Sequence, residues 1–325
     1  MKNTWGLLRR CVLGLSREET SYTRRGFRGA TLQMRERLEQ IGATFIGGYH
    51  AAVECGAPEK VGGALEAVDS ELRGFAFEGV AMGLSLLDSL TPWGQNRLSV
   101  FLEVAARPHV YMAHVGLGWV WARLPLGLER ARRRLDPLLA WLAFDGWGFH
   151  EGFFHWPDYL KAQPAPKRLT GYERRVFDQG LGRSFWFVNG GNPELVGEVI
   201  AGFPAGRQAD LWSGIGLAAV YAGIVGEAEL LSLRERAGVH WPALAQGATF
   251  ASKARQRAAN STSYTEFAAR VLCGLSAPAA AHLTDACLEN LPANAAEPAY
   301  EIWRQRIQGH LAQSTRARAA AGRNS

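Results

Sequence analysis

Apolar residues recur along this chain three and four positions apart, in stretches separated by short polar turns. In PELVGEVIAGF, residues 193–203, Leu195, Val196, Val199, Ile200 and Phe203 fall at helical spacing. Asn192 before Pro193 supplies an N-cap followed by proline at the first helical position. Pro204 ends that helix, and the next apolar stretch runs from about Arg207 to Ala222. The same pair occurs earlier, as Pro58 to Ser70 with Val61, Leu65 and Val68, then Glu71 to Leu90. Each pair reads as a short helix, a tight turn and a longer, more apolar helix. No sustained alternation marks a strand. Phe185 to Val188 would suit one in isolation, but it lies inside a long helical stretch.

A glycine returns once per pair. Gly42, Gly79, Gly116, Gly146, Gly180, Gly214 and Gly247 stand 37, 37, 30, 34, 34 and 33 residues apart. The first and last open the same four residues, Gly-Ala-Thr-Phe. This is the length of two packed helices in a repeat protein. The pattern predicts an all-α chain of helical-hairpin repeats, each about 30–37 residues, stacked as a solenoid or a closed helical array. Residues 1–30 are expected to form a capping segment, 31–310 a single repeat domain, and 311–325 a disordered basic tail.

Glycine inside a helix costs roughly 1 kcal/mol against alanine, so its repetition implies a return, namely close approach of helix backbones. Four units carry Gly-x-Gly, at 116/118, 146/148, 180/182 and 214/216. The last formally matches a dinucleotide fingerprint. That fingerprint requires a preceding strand, and Gln208 to Trp212 reads as helix, so packing is the expected role.

The charge balance changes this picture little. The net charge of +6 is carried mainly by arginine and is scattered, with no basic stripe for nucleic acid. No apolar run reaches membrane-span length. At the N-terminus, Arg9 and Arg10 interrupt the apolar run MKNTWGLLRRCVLGL, against a signal peptide. A cytoplasmic chain is expected. Trp5, Leu7, Leu8, Val12 and Leu13 form a capping helix or, alternatively, a peripheral contact with a membrane or partner. The four cysteines, at 11, 55, 273 and 287, form no C-x-x-C pair.

Candidate chemistry lies among polar residues inside the apolar helices. Glu78, Asp145 and Ser213 stand one position before their glycines and Asp178 two before; Arg183 and His150 stand three and four after. Equivalent positions of stacked units share a surface, and buried charges must be paired or have a task. The candidate acid–base residues are Asp145, His150, Glu151 and Asp178. The alternative is a structural ladder of buried pairs. His150 and His155 are five apart, about 140° around a helix, so they cannot chelate one metal as an i, i+4 pair does. Glu151 and His155 are four apart and share a face, but a metal site would need further ligands from other units, such as His114, Asp145 or Asp178, so no metal site and no cofactor is predicted. Eight of the eleven tryptophans lie between Trp119 and Trp241. An aromatic groove is expected, lined by Trp147, Phe153, Trp186 and Trp212, with Glu78 and Arg183 as further ligand contacts.

Five segments together, GFAFEGVAMGLSLLD (74–88), FDGWGFHEGFF (144–154), GYERRVFDQGLGRSFWFV (171–188), ADLWSGIGLAAVYAG (209–223) and QGATFASKARQRAAN (246–260), resemble a bacterial family of unknown-function proteins encoded in enediyne polyketide biosynthetic gene clusters. The likeness is full-length. It implies a role in making the enediyne core from a polyene precursor, alongside other cassette proteins, and it transfers no catalytic residue. Two functions follow as expectations. One is an enzyme or enzyme subunit that binds a hydrophobic polyene and assists its conversion. The other is a non-catalytic helical-repeat scaffold for other cassette proteins.

Overall fold

The structure is a computed structural model that describes residues 4–91, 96–124, 132–133, 135–292 and 295–321. No strand occurs among the described residues. An inner layer consists of the helices Leu32–Cys55, Arg73–Leu90, Val110–Arg123, Leu142–Phe154, Tyr172–Val188, Ala205–Tyr221 and Trp241–Arg257. Each packs on the next in chain order. Shorter helices lie between them in sequence and form an outer layer. Pro58–Glu66 packs on Arg97–Val104, and Glu227–Ala237 packs between Pro193–Ala201 and Ser263–Cys273.

Local sequence accounts for these boundaries. The Asn192 side chain accepts from the backbone N–H groups of Glu194 and Leu195, and Pro193 occupies the first helical position, as the dipeptide predicts. Phe185 to Val188 completes the helix Tyr172–Val188.

The inner helices touch backbone to backbone, and glycine makes this possible. A Cβ on Gly180 would overlap the carbonyl oxygen of Asp145, and one on Gly214 that of Gln179. In both cases the carbonyl belongs to the residue just before the glycine of the preceding unit. Gly79, Gly116, Gly146 and Gly247 repeat the relation with Phe45, Glu78, Val115 and Ser213. The second glycine of each Gly-x-Gly faces the following helix: Gly118 meets Ala143, and Gly216 meets Leu244. The pair at 214/216 is therefore filled by neighbouring backbone, as a packing device.

Gly42 does not belong to this series. Phe45 is the residue that Gly79 touches, and Gly48 meets Ala76 as Gly118 meets Ala143. The register position of the first unit is therefore Ile46, four residues beyond the expected glycine. A side chain is tolerated there because no inner helix precedes it. Gly42 instead makes room for Thr20 of the N-terminal segment.

The last two inner helices reach the start of the second. Arg255 Nη1 donates to the Glu71 carbonyl at 2.6 Å, and Asn260 Nδ2 to the Ser70 carbonyl at 2.7 Å. Phe75 and Tyr221 meet edge to face at 5.2 Å. These contacts curl the array back on itself, from its sixth and seventh inner helices to its second. The final helix, Ala299–Ala321, packs on the inner helix Trp241–Arg257, where Tyr300 and Trp303 meet Phe250. Its backbone continues to Ala321, so 311–321 is helical where composition suggested disorder; arginine and alanine are strong helix formers. Residues 322–325 lie outside the described residues.

Candidate functional site

The inner face of the array follows the repeat. Positions three and seven after each glycine lie one helical turn apart on one stripe. In four consecutive units they are Trp119 and Arg123, Phe149 and Phe153, Arg183 and Phe187, Leu217 and Tyr221. All eight line one cavity of about 400 Å³. The first inner helix adds Leu38, Ile41, Phe45 and Ile46, and the second adds Phe75 and Glu78. The volume is that of a small-molecule site. The rings interlock: Trp119 lies 4.4 Å from Phe45 and 5.5 Å from Phe149, and Phe149 meets Phe187 edge to face at 5.1 Å.

The cavity has a mouth and a closed end. Gly14, Ser16 and Arg123 are its exposed lining residues. The N-terminal segment lies across the mouth. The Leu15 N–H donates to His50 Nε2 at 3.1 Å, and Tyr49 O–H donates to the Leu13 carbonyl at 2.7 Å. At the closed end stand Glu78, Arg183 and Tyr221, all buried. A second, smaller cavity, lined by Asp145, Tyr300 and Trp303, shares Arg183, Leu217 and Tyr221 with the first.

Glu78 stands one position before its repeat glycine. Trp119 Nε1–H donates to its Oε1 at 2.9 Å, and no hydrogen bond reaches Oε2 among the described residues. Burial pushes its pKa up to about 7, against the opposing pull of the Arg183 cation and the Trp119 bond. It is a carboxyl group poised to gain or lose a proton near neutrality. Arg183 Nη2 lies 2.8 Å from Asp145 Oδ1 without hydrogen-bond alignment, and its guanidinium sits 4.9 Å from the Phe149 ring centre. Burial raises the Asp145 pKa, opposed by Arg183 and by the 2.7 Å bond from Gln179. Asp145, Gln179, Ser213 and Gln246 occupy the same register position and form a buried polar row beneath the cavity. The row ends on Arg304, itself paired with Asp210 at 2.7 Å.

His150 and Glu151 reach the cavity through Arg123. Arg123 Nε–H donates to His150 Nε2 at 3.0 Å, which leaves Nδ1–H of His150 to donate to Glu151 Oε1 at 3.1 Å. Burial lowers the His150 pKa, which keeps it the neutral acceptor that Arg123 requires.

The remaining expected residues fall elsewhere. Asp178 accepts two bonds from Arg207, at 2.8 and 2.6 Å, in a pair outside the cavity. Of the four expected aromatic residues, Phe153 alone lines the cavity; Trp147, Trp186 and Trp212 are buried between helices. They stand one after, six after and two before their glycines, off the inward stripe. Trp119, Arg123, Phe149, Phe187 and Tyr221 were missed. Reading the third and seventh positions after each glycine would have found all five. Among the described residues, no three His, Cys, Asp or Glu side chains converge to hold a metal ion. None of the described helices is long and apolar enough to cross a membrane.

Residues 4–311 match the family model described as a protein of unknown function (DUF1702). No curated protein and no solved structure matches the chain.

Proposed function

The chain belongs to the DUF1702 family of proteins of unknown function, and we propose that it binds an elongated, unsaturated, apolar small molecule in the cavity and assists its conversion at Glu78. On the resemblance of its helical segments, that molecule is a linear polyene intermediate of enediyne biosynthesis. The observation that carries this reading is an aromatic cavity, open at one end, with one near-neutral carboxyl group at its closed end. Flat rings accept a conjugated chain by stacking. A carboxyl group near its pKa gives a proton to one carbon and takes one from another. Such a transfer moves double bonds along the chain and requires no co-reactant. Asp145 is a positioning residue here, because it holds Arg183 beside Glu78.

A scaffold for other cassette proteins is supported by a different feature. The N-terminal helix Thr4–Leu13 exposes Trp5 and Val12, at 74% and 73%. That face suits a second role, contact with a cassette protein or a membrane surface. It does not account for a filled aromatic interior.

Titration of the purified protein with a linear conjugated tetraene tests the cavity reading. Saturable quenching of tryptophan fluorescence and a slow shift of the tetraene absorption bands are expected. Glu78→Gln should bind the tetraene and leave its absorption unchanged. Asp178→Asn should do both as the wild type does. Absence of saturable binding, or full conversion by Glu78→Gln, overturns the reading.

A further inference from the structure

The charges at the cavity mouth say more about the ligand. Glu19 is the acidic residue lining the mouth, and it is already neutralised: Arg24 lies 3.0 Å from it, and Arg25 pairs with its other oxygen. Arg24 also holds Glu18 at 2.6 Å. Two arginines therefore balance two glutamates. Arg123 is left over. Its Nε–H is spent on His150, its guanidinium lies 5.3 Å from the Phe154 ring, and no carboxylate pairs with it among the described residues. His150 cannot compensate its charge, because the neutral ring offers Arg123 a lone pair and no negative charge. Glu151 sits on the far side of that ring. Among the described residues, the mouth thus presents one oriented cation without a carboxylate partner, while the acid of the site lies at the other end, on Glu78.

Resting on the cavity as the ligand site, we propose that the ligand is an apolar chain bearing a carboxylate head, and that Arg123 holds this head at the mouth. The chain then runs inward past Phe153 and Phe149 to Glu78. The opposite orientation would bury a second carboxylate beside Glu78 and Asp145, where desolvation already pushes both acids toward their neutral forms. At the mouth the head keeps part of its water and meets a two-pronged donor through Nη1 and Nη2. Arg123 is held in register by the His150 acceptor, so the fork is aimed before the ligand arrives.

The test compares a conjugated tetraene carboxylic acid, its methyl ester and the parent hydrocarbon, with binding read by tryptophan quenching at low salt. The wild type should bind the acid about tenfold more tightly than the ester, the scale of one exposed charge-assisted bidentate contact. Added salt should narrow this gap. Arg123→Gln should abolish the preference by weakening the acid alone, and Arg123→Lys should keep part of it. Equal affinity of acid and ester for the wild type, or an acid preference that survives in Arg123→Gln, overturns the proposal while leaving the cavity reading intact. Failure of all three compounds to bind instead overturns the cavity reading. A chain carried as a thioester has no charged head and would behave as the ester, which also counts against the proposal. The melting temperature of Arg123→Gln, expected to match the wild type, separates binding from folding.

Discussion

Glu78 is a carboxyl group whose folded pKa lies well above its unfolded one, about 7 against 4.5. Between these values the folded state binds the proton that the unfolded state has released. Stability therefore falls as pH rises from 4.5 to 7, and it stays lower above 7. Asp145 contributes with the same sign and His109, lowered to about 4 by burial, with the opposite sign at acid pH. A difference between variants isolates Glu78. In urea denaturation, Glu78→Gln should match the wild type near pH 4.5 and gain on it by a few kcal/mol, in order of magnitude, by pH 8. A gap that does not change with pH would show that Glu78 is not held near neutrality. That Glu78 and Arg183 stand out as charges within apolar helices was legible in the sequence, because such charges demand a partner or a task. That Asp178 is merely paired was not, because Arg207 reaches it from the next unit through a turn whose geometry no local pattern encodes.

An inner helix is defined less by its apolar residues than by the two glycines through which it touches its neighbours. This explains why the repeat was readable: the same carbonyl-on-glycine contact recurs, so the same residue recurs. It also explains where the reading slipped. Gly42 shares Gly-Ala-Thr-Phe with Gly247, but the contact that selects glycine is absent before the first helix. Likewise, aromatic density could not say which rings face inward, since Trp147, Trp186 and Trp212 fill the spaces between helices. Gly180→Ala should destabilise by about 1–3 kcal/mol, because a Cβ has only Asp145 backbone to push against. Gly47, on the first inner helix, has nothing within 4 Å of its absent Cβ and is exposed, so Gly47→Ala should stabilise by up to about 1 kcal/mol. Chemical denaturation of both variants checks the pair. Equal effects would mean that helix propensity, not contact, governs these glycines.

The molecule as a whole is a curled array of helices with the N-terminal segment across its cavity mouth and the final helix packed alongside. The placement of both depends on pairings between residues far apart in the chain, such as Leu15 with His50 and Trp303 with Phe250. An open stack can unravel from an end, since each unit touches only its neighbours. Here the bonds from Arg255 and Asn260 tie the last inner helix and the turn after it to the segment before the second. Unfolding transitions followed by tryptophan fluorescence and by far-ultraviolet ellipticity should therefore coincide. Asn260→Ala, which removes one closing bond, should shift both together rather than separate them. Two resolved transitions in the wild type would show that the closing contacts do not couple the units. The carbonyl-on-glycine contacts have one more effect, on the space they enclose. Adjacent helices meet backbone to backbone at these glycines, so the spacing of the helices around the interior is set by main chain. What substitution can change is the bore and depth of the cavity, through the residues three and seven places after each glycine. On the proposed reading, such a cavity would sort its ligands by length and by the polarity of their two tips.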